Sequence, residues 1–266
     1  MDHRYACPLR WGDMDALAHV NNVTYADYLR EARHAMERDG VLDPGAGTVK
    51  VLELEYRAPL VFRSTPVTVE STVTAGGAAG ETVVEQSILD RADDGAVTEY
   101  VRARTELGPS PSPVVADERL RFRVPVALRI ADLGAEGAAD EVAMLDLLQE
   151  GRVQMLFGLS GKESGHRVVA RSTLWMYGAP RYRATPYEVR SGVGRIGRSS
   201  FELVSQLVSS EHEGAPVVLG RTSVVLVGFD RATQRSRPYT ERERALLEPH
   251  RIDLVDDAPT DTPTHP

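Results

Sequence analysis

The chain contains one segment twice. Residues 10–33 (RWGDMDALAHVNNVTYADYLREAR) recur without a gap as residues 129–152 (RIADLGAEGAADEVAMLDLLQEGR), 119 positions later. Eight residues are identical at this shift: Arg10, Asp13, Ala16, Val23, Asp27, Leu29, Glu31 and Arg33 return as Arg129, Asp132, Ala135, Val142, Asp146, Leu148, Glu150 and Arg152. Because the repeat divides the 266 residues almost in half, it predicts a duplicated fold with two cores of ordinary size.

Polar positions distinguish the two copies. Four of them change: Asp15, His19, Asn21 and Asn22 of the first copy become Gly134, Ala138, Asp140 and Glu141 in the second. The first copy has kept polar chemistry that the second has lost. We therefore expect the functional groups in the N-terminal half.

Composition excludes several classes of protein. The chain is 42% hydrophobic and 26% charged, as globular proteins are, and it has no apolar run long enough to span a membrane. Its net charge of −8 argues against a nucleic-acid surface, which needs clustered Lys and Arg. Local groups of arginine can still bind a small anionic ligand.

Neither a metal nor a cofactor is predicted. Cys7 is the single cysteine, so the chain has no internal disulfide and no CxxC pair, and its seven histidines are scattered without ligand spacing. The first eleven residues lack the basic region followed by an apolar stretch that is typical of a secretory signal. We expect the protein in the cytoplasm.

Each half predicts the same order of elements. A first strand (Ala6 to Trp11; Arg121 to Ile130) leads through a polar loop into one amphipathic helix. The apolar residues of the two helices are Tyr25, Tyr28, Leu29, Ala32 and Met36, and Val142, Leu145, Leu148 and Met155. Four strands follow in each half, over residues 49–56, 67–74, 82–89 and 97–107, and over 168–177, 187–195, 201–209 and 217–229. Asp94-Gly95 and Glu213-Gly214 mark hairpin turns.

This order predicts an α+β fold in which each half wraps an antiparallel sheet of about five strands on one long helix. Residues 1–108 form the N-terminal unit, and residues 118–240 form the degenerate C-terminal unit. The proline-rich residues 109–117 between them suit a linker. In residues 241–266, Thr240 and Glu243 predict a short capped helix, and the polar sequence beyond Asp256 predicts a disordered tail.

The first copy resembles a known signature. It contains Trp11-Gly12-Asp13-Met14-Asp15, then Ala18-His19-Val20-Asn21-Asn22-Val23-Thr24-Tyr25, then Tyr28-Leu29 and Glu31-Ala32-Arg33. This is similar to hotdog-fold acyl-CoA thioesterases of the 4-hydroxybenzoyl-CoA thioesterase type, whose pattern is a D-x-D loop, a G-H-V-N-N-like turn and a helix ending near E-x-A-R. Ala18 stands where glycine is usual, and the second copy matches only in outline. The resemblance implies a tandem double hotdog, similar to the dimer that single-hotdog members form.

The resemblance also implies where the chemistry lies. It places the working carboxylate at Asp15, the thioester carbonyl near the start of the following helix, and the acyl chain and pantetheine arm between the two hotdogs. An ionised aspartate can act as a nucleophile or as a general base toward water. The N–H groups around Asn22 to Thr24, at the start of the helix, can stabilise an oxyanion.

Further site residues follow from their position beside this loop. His19 and Asn22 are catalytic candidates that can orient the water or the thioester, and Val23, Thr24 and Tyr25 are substrate-binding candidates. A structural alternative applies to the same segment, because asparagine and threonine cap helices without any catalytic duty. The cap is favoured for Asn21, and the role of His19 stays open.

Several other residues receive structural interpretations. Asp13 is retained as Asp132 in the degenerate copy, which indicates a role in the loop itself. Glu31 and Arg33 lie at a two-residue spacing and point to different faces of the helix, with a solvated or interface-lining role expected and an acid role for Glu31 or Glu150 as a minor possibility. Tyr25 and Tyr28 suit packing, although Tyr25 lies nearest the expected carbonyl.

A glycine pattern near residue 195 has two interpretations. Gly192, Gly194 and Gly197 match the dinucleotide pattern GxGxxG, but the motif must open a helix, whereas residues 199–209 alternate like a strand, so a hairpin turn is predicted. Arg195 and Arg198 in this turn are substrate-binding candidates for the phosphates of coenzyme A, on charge and position alone. Ordinary surface solubility is the alternative for both.

The sequence thus predicts an acyl-CoA thioesterase that releases a carboxylic acid and free coenzyme A, with no metal and no redox cofactor. Its expected partner is the acyl-CoA substrate, without nucleic acid or a membrane span, and it is expected to be a monomer, as a pseudo-dimer, or a homodimer. One alternative uses acyl carrier protein as the thiol carrier. Another is an acyl-CoA-binding or regulatory module without turnover, since the same scaffold hosts several functions.

Overall fold

The computed structural model describes residues 2–75, 81–109, 111–112, 114–134, 136–160, 166–183, 185–210 and 216–253. The N-terminal half contains β1 (Asp2–Cys7), α1 (Thr24–Arg38), β2 (Thr48–Tyr56), β3 (Val67–Ala75), β4 (Thr82–Arg91) and β5 (Val97–Gly108). The connection contains β6 (Val114–Val115). The C-terminal half contains β7 (Phe122–Val126), α2 (Glu141–Ser160), β8 (Arg167–Met176), β9 (Tyr187–Ile196), β10 (Ser200–Ser209) and β11 (Val217–Asp230), followed by β12 (Arg235–Ser236) and α3 (Glu241–Leu247).

The two halves have the same strand order and share one sheet. The N-terminal order is β1-β3-β4-β5-β2, and the C-terminal order, taken from the corresponding edge, is β7-β9-β10-β11-β8. Strands β2 and β8 pair with each other antiparallel, from Val51 opposite Trp175 to Glu55 opposite Arg171. The sheet therefore continues from one half into the other through backbone hydrogen bonds.

Helix α1 packs its apolar face on this sheet, whereas α2 also has exposed apolar residues, Val153 and Phe157, so the predicted amphipathic pattern is wrong for α2. Tyr25, Leu29, Ala32 and Met36 recur at intervals of three or four residues along α1, so they share one face, and all are buried. One core cluster contains residues of both helices and of both central strands, including Leu52 and Leu174, which face each other across the β2–β8 pair. The predicted α+β class is confirmed.

The first strand of each half differs from its predicted range: β1 has six residues, as predicted, but begins four residues earlier, and β7 has five residues and ends earlier than predicted. Strand β1 begins at Asp2 and ends at Cys7, where Pro8 has no N–H to continue the ladder. The apolar residues Trp11 and Ile130, which extended the predicted strands, lie in 3₁₀ turns and are 75% and 74% exposed. The predicted strands Ala6 to Trp11 and Arg121 to Ile130 are wrong in these segments.

The predicted turns and cap have mixed outcomes. Gly95 makes the β4–β5 hairpin with a φ of +84°, and Thr240 caps α3, accepting the N–H of Glu243. Gly192 and Gly194 lie inside β9 and only Gly197 lies in the β9–β10 turn, so the segment opens no helix. The predicted Glu213-Gly214 turn and the predicted tail beyond Asp256 lie outside the described residues.

Candidate active site

The loop before α1 folds around the carboxylate of Asp15. Oδ1 of this residue accepts the N–H of Leu17 at 2.7 Å and the N–H of His19 at 3.2 Å. The Asp15 N–H donates to the His19 carbonyl at 2.7 Å, and the Ala18 N–H donates to the Asp15 carbonyl at 3.0 Å. Oδ2 has no hydrogen-bond partner in the described part of the chain. One oxygen therefore orients the carboxylate while the other is open to a ligand or water.

The second copy has the same loop backbone without the functional side chains. There the Gly134 N–H donates to the Ala138 carbonyl at 2.9 Å, and the Gly137 N–H donates to the Gly134 carbonyl at 3.0 Å. Gly137 has a φ of +70°, and Ala18, at the equivalent position, has a φ of +60°. This left-handed conformation explains why glycine suits the position. The loop thus kept its shape in both halves, and only the first kept a carboxylate.

Backbone bonds fix the loop to the rest of the half. The Val20 N–H donates to the Leu60 carbonyl at 2.8 Å. Oδ2 of Asp13 accepts the Arg10 N–H at 2.7 Å and the Tyr28 hydroxyl at 2.5 Å. Asp132 accepts the Arg129 N–H at the same 2.7 Å in the second copy. The predicted structural role of Asp13 is confirmed.

A cavity of about 610 Å³ opens beside Asp15, between the two halves. The N-terminal half contributes the Asp15 loop, the residues before α1 and the end of β2; the C-terminal half contributes one face of α2, the start of β8 and the end of β11. Much of the wall is apolar, with Leu17, Val153, Leu156 and Leu226 among the lining residues. Its size and mixed lining are those of a small-molecule site.

At the start of α1, two of the backbone amides already have acceptors. Among the three predicted oxyanion donors, the Val23 N–H donates to Oδ1 of Asn21 at 3.0 Å, and the Thr24 N–H donates to the Asn21 carbonyl at 3.0 Å. The Asn22 N–H has no acceptor within the described residues. The N-cap of α1 is Val23, which has no side-chain cap bond, so the predicted cap at Asn21 is wrong; Asn21 instead makes an Asx-type bond to the N-cap residue.

Tyrosines form the wall around the helix start. The Tyr56 hydroxyl donates to the Asn22 carbonyl at 2.9 Å, and the Tyr25 hydroxyl accepts the Leu60 N–H at 3.1 Å. Burial raises the pKa of Tyr25 to about 12 and also raises the pKa of Tyr56. Both phenols are therefore neutral hydrogen-bonding groups at physiological pH.

The C-terminal half contributes an arginine, Arg152, to the cavity. The sequence predicted no specific site role for this residue. Arg152 of α2 lines the cavity with only 8% of its surface exposed, and its Nη2 donates to Oδ1 of Asn22 at 3.3 Å and to Gln149 at 3.1 Å. Burial lowers the pKa of Arg152 to about 10, which still leaves it charged at neutral pH. The sequence signal that could have identified Arg152 was its identity with Arg33 at the 119-residue shift of the repeat.

The contact that corresponds to Arg152–Asn22 in the repeat, on the other side of the interface, consists of ion pairs. Arg33 of α1 pairs with Glu141 at the start of α2, and Arg30 pairs with Asp140. At the 119-residue shift, Arg33 corresponds to Arg152, and Glu141 corresponds to Asn22. An arginine of each helix therefore contacts the start of the other helix. Within the described structure, Arg33 pairs with a carboxylate there, whereas Arg152 contacts an amide.

Other predicted residues are not among those that line the cavity. Arg195 and Arg198 are exposed at the β9–β10 hairpin, where the Arg198 carbonyl accepts the N–H of Tyr239 and a guanidinium N–H of Arg244. The Ser199 carbonyl in this hairpin accepts the N–H of Gly228, next to the cavity residue Phe229, but neither arginine is among the residues that line the cavity. Glu150 is exposed and accepts from Gln154, so it is not the facing acid.

The described residues contain neither a metal-binding cluster nor a membrane-spanning helix. No group of His, Cys, Asp and Glu there is arranged to hold a metal ion. No helix in the same ranges is both long enough and apolar enough to cross a membrane.

Comparison with known families and proteins supports a thioester hydrolase. Residues 9–109 match the model of the Thioesterase-like superfamily. This range contains the Asp15 loop, α1 and strands β2 to β5. No curated protein matches the sequence.

Solved structures share the fold over both halves. A putative oleoyl thioesterase from Lactobacillus plantarum has a TM-score of 0.64 at 9% identity, covering 86% of this chain and 96% of that one. The 12:0-ACP thioesterase from Umbellularia californica has a TM-score of 0.59 at 13% identity, covering 90% and 94%. A hotdog-fold protein of unknown function from Alicyclobacillus acidocaldarius has a TM-score of 0.55 at 12% identity, covering 85% and 93%. The chain has a hotdog fold.

Proposed function

We propose that this chain is an acyl-CoA thioesterase that hydrolyses an acyl thioester to a free carboxylic acid and coenzyme A. The observation that carries the proposal is the carboxylate of Asp15, held through Oδ1 by two amides while Oδ2 is open beside a largely apolar cavity. An apolar acyl group suits that wall, and its thioester would lie against the carboxylate. The match of residues 9–109 to the Thioesterase-like superfamily supports the same reaction.

The reaction needs only groups that the chain supplies. As a general base, Asp15 takes a proton from water while the water oxygen attacks the carbonyl carbon. The tetrahedral intermediate then expels the thiolate, the C–S bond breaks, and the proton passes to sulfur. As a nucleophile, Asp15 instead attacks the carbonyl carbon, and the C–S bond breaks to release the thiolate and leave an anhydride. Water then hydrolyses the anhydride, which frees the acid and the Asp15 carboxylate, and the proton lost from the water passes to the thiolate. Both routes yield one acid and one thiol.

The oxyanion of the intermediate needs a donor, and the Asn22 N–H is the candidate. It is the amide of the predicted set that has no acceptor among the described residues. The positive end of the α1 dipole adds to its effect. His19 lines the same cavity and is the second polar group that can contact the thioester.

The site lies between two units that we propose to be tandem hotdogs, residues 1–108 and 118–240, joined by the connection 109–117. The equal strand order, the matching loop bonds and the coverage of both halves by hotdog structures support this organisation. One complete site in a monomer is expected, because Gly134 and Ala138 replace the carboxylate and imidazole of the second loop.

An acyl-ACP thioesterase is the second candidate. It is favoured by one observation, the likeness of 90% of this chain to the 12:0-ACP thioesterase from Umbellularia californica. The chemistry at Asp15 is the same in both candidates, so the carrier distinguishes them. The net charge of −8 disfavours an acidic carrier protein as the partner.

The test is hydrolysis of matched panels of acyl-CoA and acyl-ACP thioesters, followed by release of free thiol. Asp15→Asn keeps an oxygen that accepts the Leu17 and His19 N–H groups but removes the base, so turnover should fall by about 100- to 10,000-fold. Asp94→Asn is the control, because Asp94 is exposed and accepts the Ala96 N–H at 2.9 Å outside the cavity. Equal turnover by wild type and Asp15→Asn would remove Asp15 from the mechanism. Binding of acyl-CoA without any turnover would favour the regulatory module.

A further inference from the structure

The two helix-to-helix contacts across the interface differ in charge. Arg33 meets the carboxylate of Glu141, whereas Arg152 meets the amide oxygen of Asn22. Both arginines are more than nine-tenths buried. A buried cation normally has a counter-charge, because removal from water is costly without one. The second contact therefore lacks an anion that the first contact contains.

Within the ranges that the structure describes, Arg152 is not bonded to a carboxylate. Among the described residues, the hydrogen-bond partners of its guanidinium are the neutral side chains of Asn22 and Gln149. The described lining of the cavity contains four arginines and the carboxylate of Asp15. Two of these arginines have carboxylate partners outside the lining: Arg57 pairs with Glu55 and Glu99, and Arg167 pairs with Glu243. Arg152 has no such pair among the described residues. The start of α1 adds the positive end of a helix dipole at Asn22. The cavity thus favours a negatively charged ligand beside Arg152.

The Arg33–Glu141 contact indicates which kind of anion can bind beside Arg152. Glu141 lies at the start of α2, and its carboxylate is bound by the arginine of the opposite helix. Asn22 lies at the equivalent position of α1. A carboxylate supplied by a ligand next to Asn22 would reproduce the contact that Glu141 makes within the protein. Arginine binds carboxylates through paired N–H donors, so the chemistry matches.

We propose that Arg152, together with the first turn of α1, forms a binding subsite for the carboxylate of the cleaved acyl group. The proposal rests on the proposed function, because hydrolysis turns the thioester carbonyl carbon, on which Asp15 and the Asn22 N–H are proposed to act, into a carboxylate carbon. Arg152, a residue of the C-terminal half, would then bind two species: the oxyanion of the tetrahedral intermediate and the carboxylate product that forms from it. The degenerate half contributes to the site through this side chain.

The first experiment needs no variant. Full-length wild-type protein is titrated by calorimetry with octanoate and benzoate, and separately with octanamide and benzamide, which have the same shape without the charge. The carboxylates should bind at least about tenfold more tightly than their amides, as a charge-assisted hydrogen bond would give. Equal affinity for acid and amide would overturn the proposal.

Variants then assign the effect to Arg152. Arg152→Gln should weaken carboxylate binding by about 10- to 100-fold and leave amide binding unchanged. Arg152→Lys should restore part of the affinity, because it keeps the charge without the planar fork. Asn22→Glu should abolish carboxylate binding by reproducing the Arg33–Glu141 pair. Arg4→Gln, an exposed arginine on β1, controls for net charge and should have no effect.

Two outcomes distinguish failure of the Arg152 subsite from failure of the proposed thioesterase function. Carboxylate binding that depends on Arg152 in a protein without thioesterase turnover would refute the proposed function and leave the subsite in place. Normal turnover with carboxylate affinity unchanged in Arg152→Gln would refute the subsite alone. Inorganic phosphate serves as a third probe. If it bound more tightly than octanoate, and only with Arg152 present, the subsite would belong to the phosphates of the carrier and the proposal would be overturned.

Discussion

Arg33 and Glu141 form an ion pair between the two halves, with side chains that are only 6% and 9% exposed. Gln86 and Thr105 also accept hydrogen bonds from the Arg33 guanidinium, at 3.1 and 3.4 Å. The pair is therefore a fully bonded polar contact inside the interface. Its pseudo-symmetric counterpart, Arg152 and Asn22, borders the cavity instead.

Breaking this pair from one side is expected to be costly. Glu141→Gln leaves Arg33 buried without its counter-charge, so the free energy of unfolding should fall by about 3–5 kcal/mol, measured by urea denaturation. Glu150→Gln, at an exposed position of the same helix, is the control and should stay within about 0.5 kcal/mol of wild type. A loss of less than about 1 kcal/mol for Glu141→Gln would show that the pair contributes little.

Ala18 should be improved by glycine. Its φ of +60° is costly for a residue with a Cβ, whereas glycine gains chain entropy on unfolding. The balance predicts that Ala18→Gly raises the free energy of unfolding by up to about 1 kcal/mol, measured by thermal or urea denaturation. Ala16→Gly, two residues earlier in the same exposed loop, has only the entropic penalty and should lower stability by about 0.5–1 kcal/mol. If both variants lowered it equally, strain at Ala18 would be refuted.

Glu243 should stabilise the C-terminal segment in a pH-dependent way. Paired hydrogen bonds from Arg237, at 2.6 and 2.8 Å, lower the pKa of Glu243 from 4.5 to about 2. A lowered carboxyl pKa gives stability that is complete above about pH 4.5 and is lost as the pH falls toward 2. The stability difference between wild type and Glu243→Gln should therefore shrink over that interval in denaturation curves. Glu241→Gln, exposed in the same helix, is the control; a difference that stayed constant down to pH 2 would contradict the assignment.

Cys7 should be inert in the folded protein. Its thiol is buried, and burial, followed by the nearby charges of Asp27 and Glu31, raises the pKa of the thiol to about 12. At pH 8 very little thiolate forms, so iodoacetamide should not modify the native chain within hours. The same reagent should add one label in urea, because the chain contains a single cysteine. Rapid labelling of the native protein, detected by mass spectrometry, would contradict this environment.

The sequence predicted most elements of the fold because their signals are local. Alternation marked the strands, helical spacing marked α1 and α2, and Thr240 with Glu243 marked the cap of α3. The errors occurred where apolar residues serve a different purpose. Trp11 extended the predicted first strand, yet it is exposed in a turn and stacks edge-on against Phe62 at a centroid distance of 5.5 Å. Hydrophobicity alone does not distinguish a strand from an exposed aromatic contact.

The site was predicted only in its local part. Asp15, His19 and Asn22 come from one loop, so a motif contained them, and the structure brings all three to one cavity. Arg152 lies 130 residues from Asn22 along the chain, and its contact depends on which sheet edges join. The β2–β8 junction decides that question, and no local pattern encodes it. Arg195 and Arg198, which were predicted from charge and position alone, are not among the residues that line the cavity.

The unequal pair of contacts has a consequence for how such a molecule can change. In an assembly of identical chains, every contact across a twofold axis occurs twice, so a residue that closes one side also closes the other. Two halves encoded separately in one chain are free of that constraint. Glutamate at position 141 can hold the halves together on one side while asparagine at position 22 leaves the opposite arginine without a paired carboxylate. Covalent linkage thereby lets one side specialise in cohesion and leaves the other side free to serve the ligand subsite that we propose.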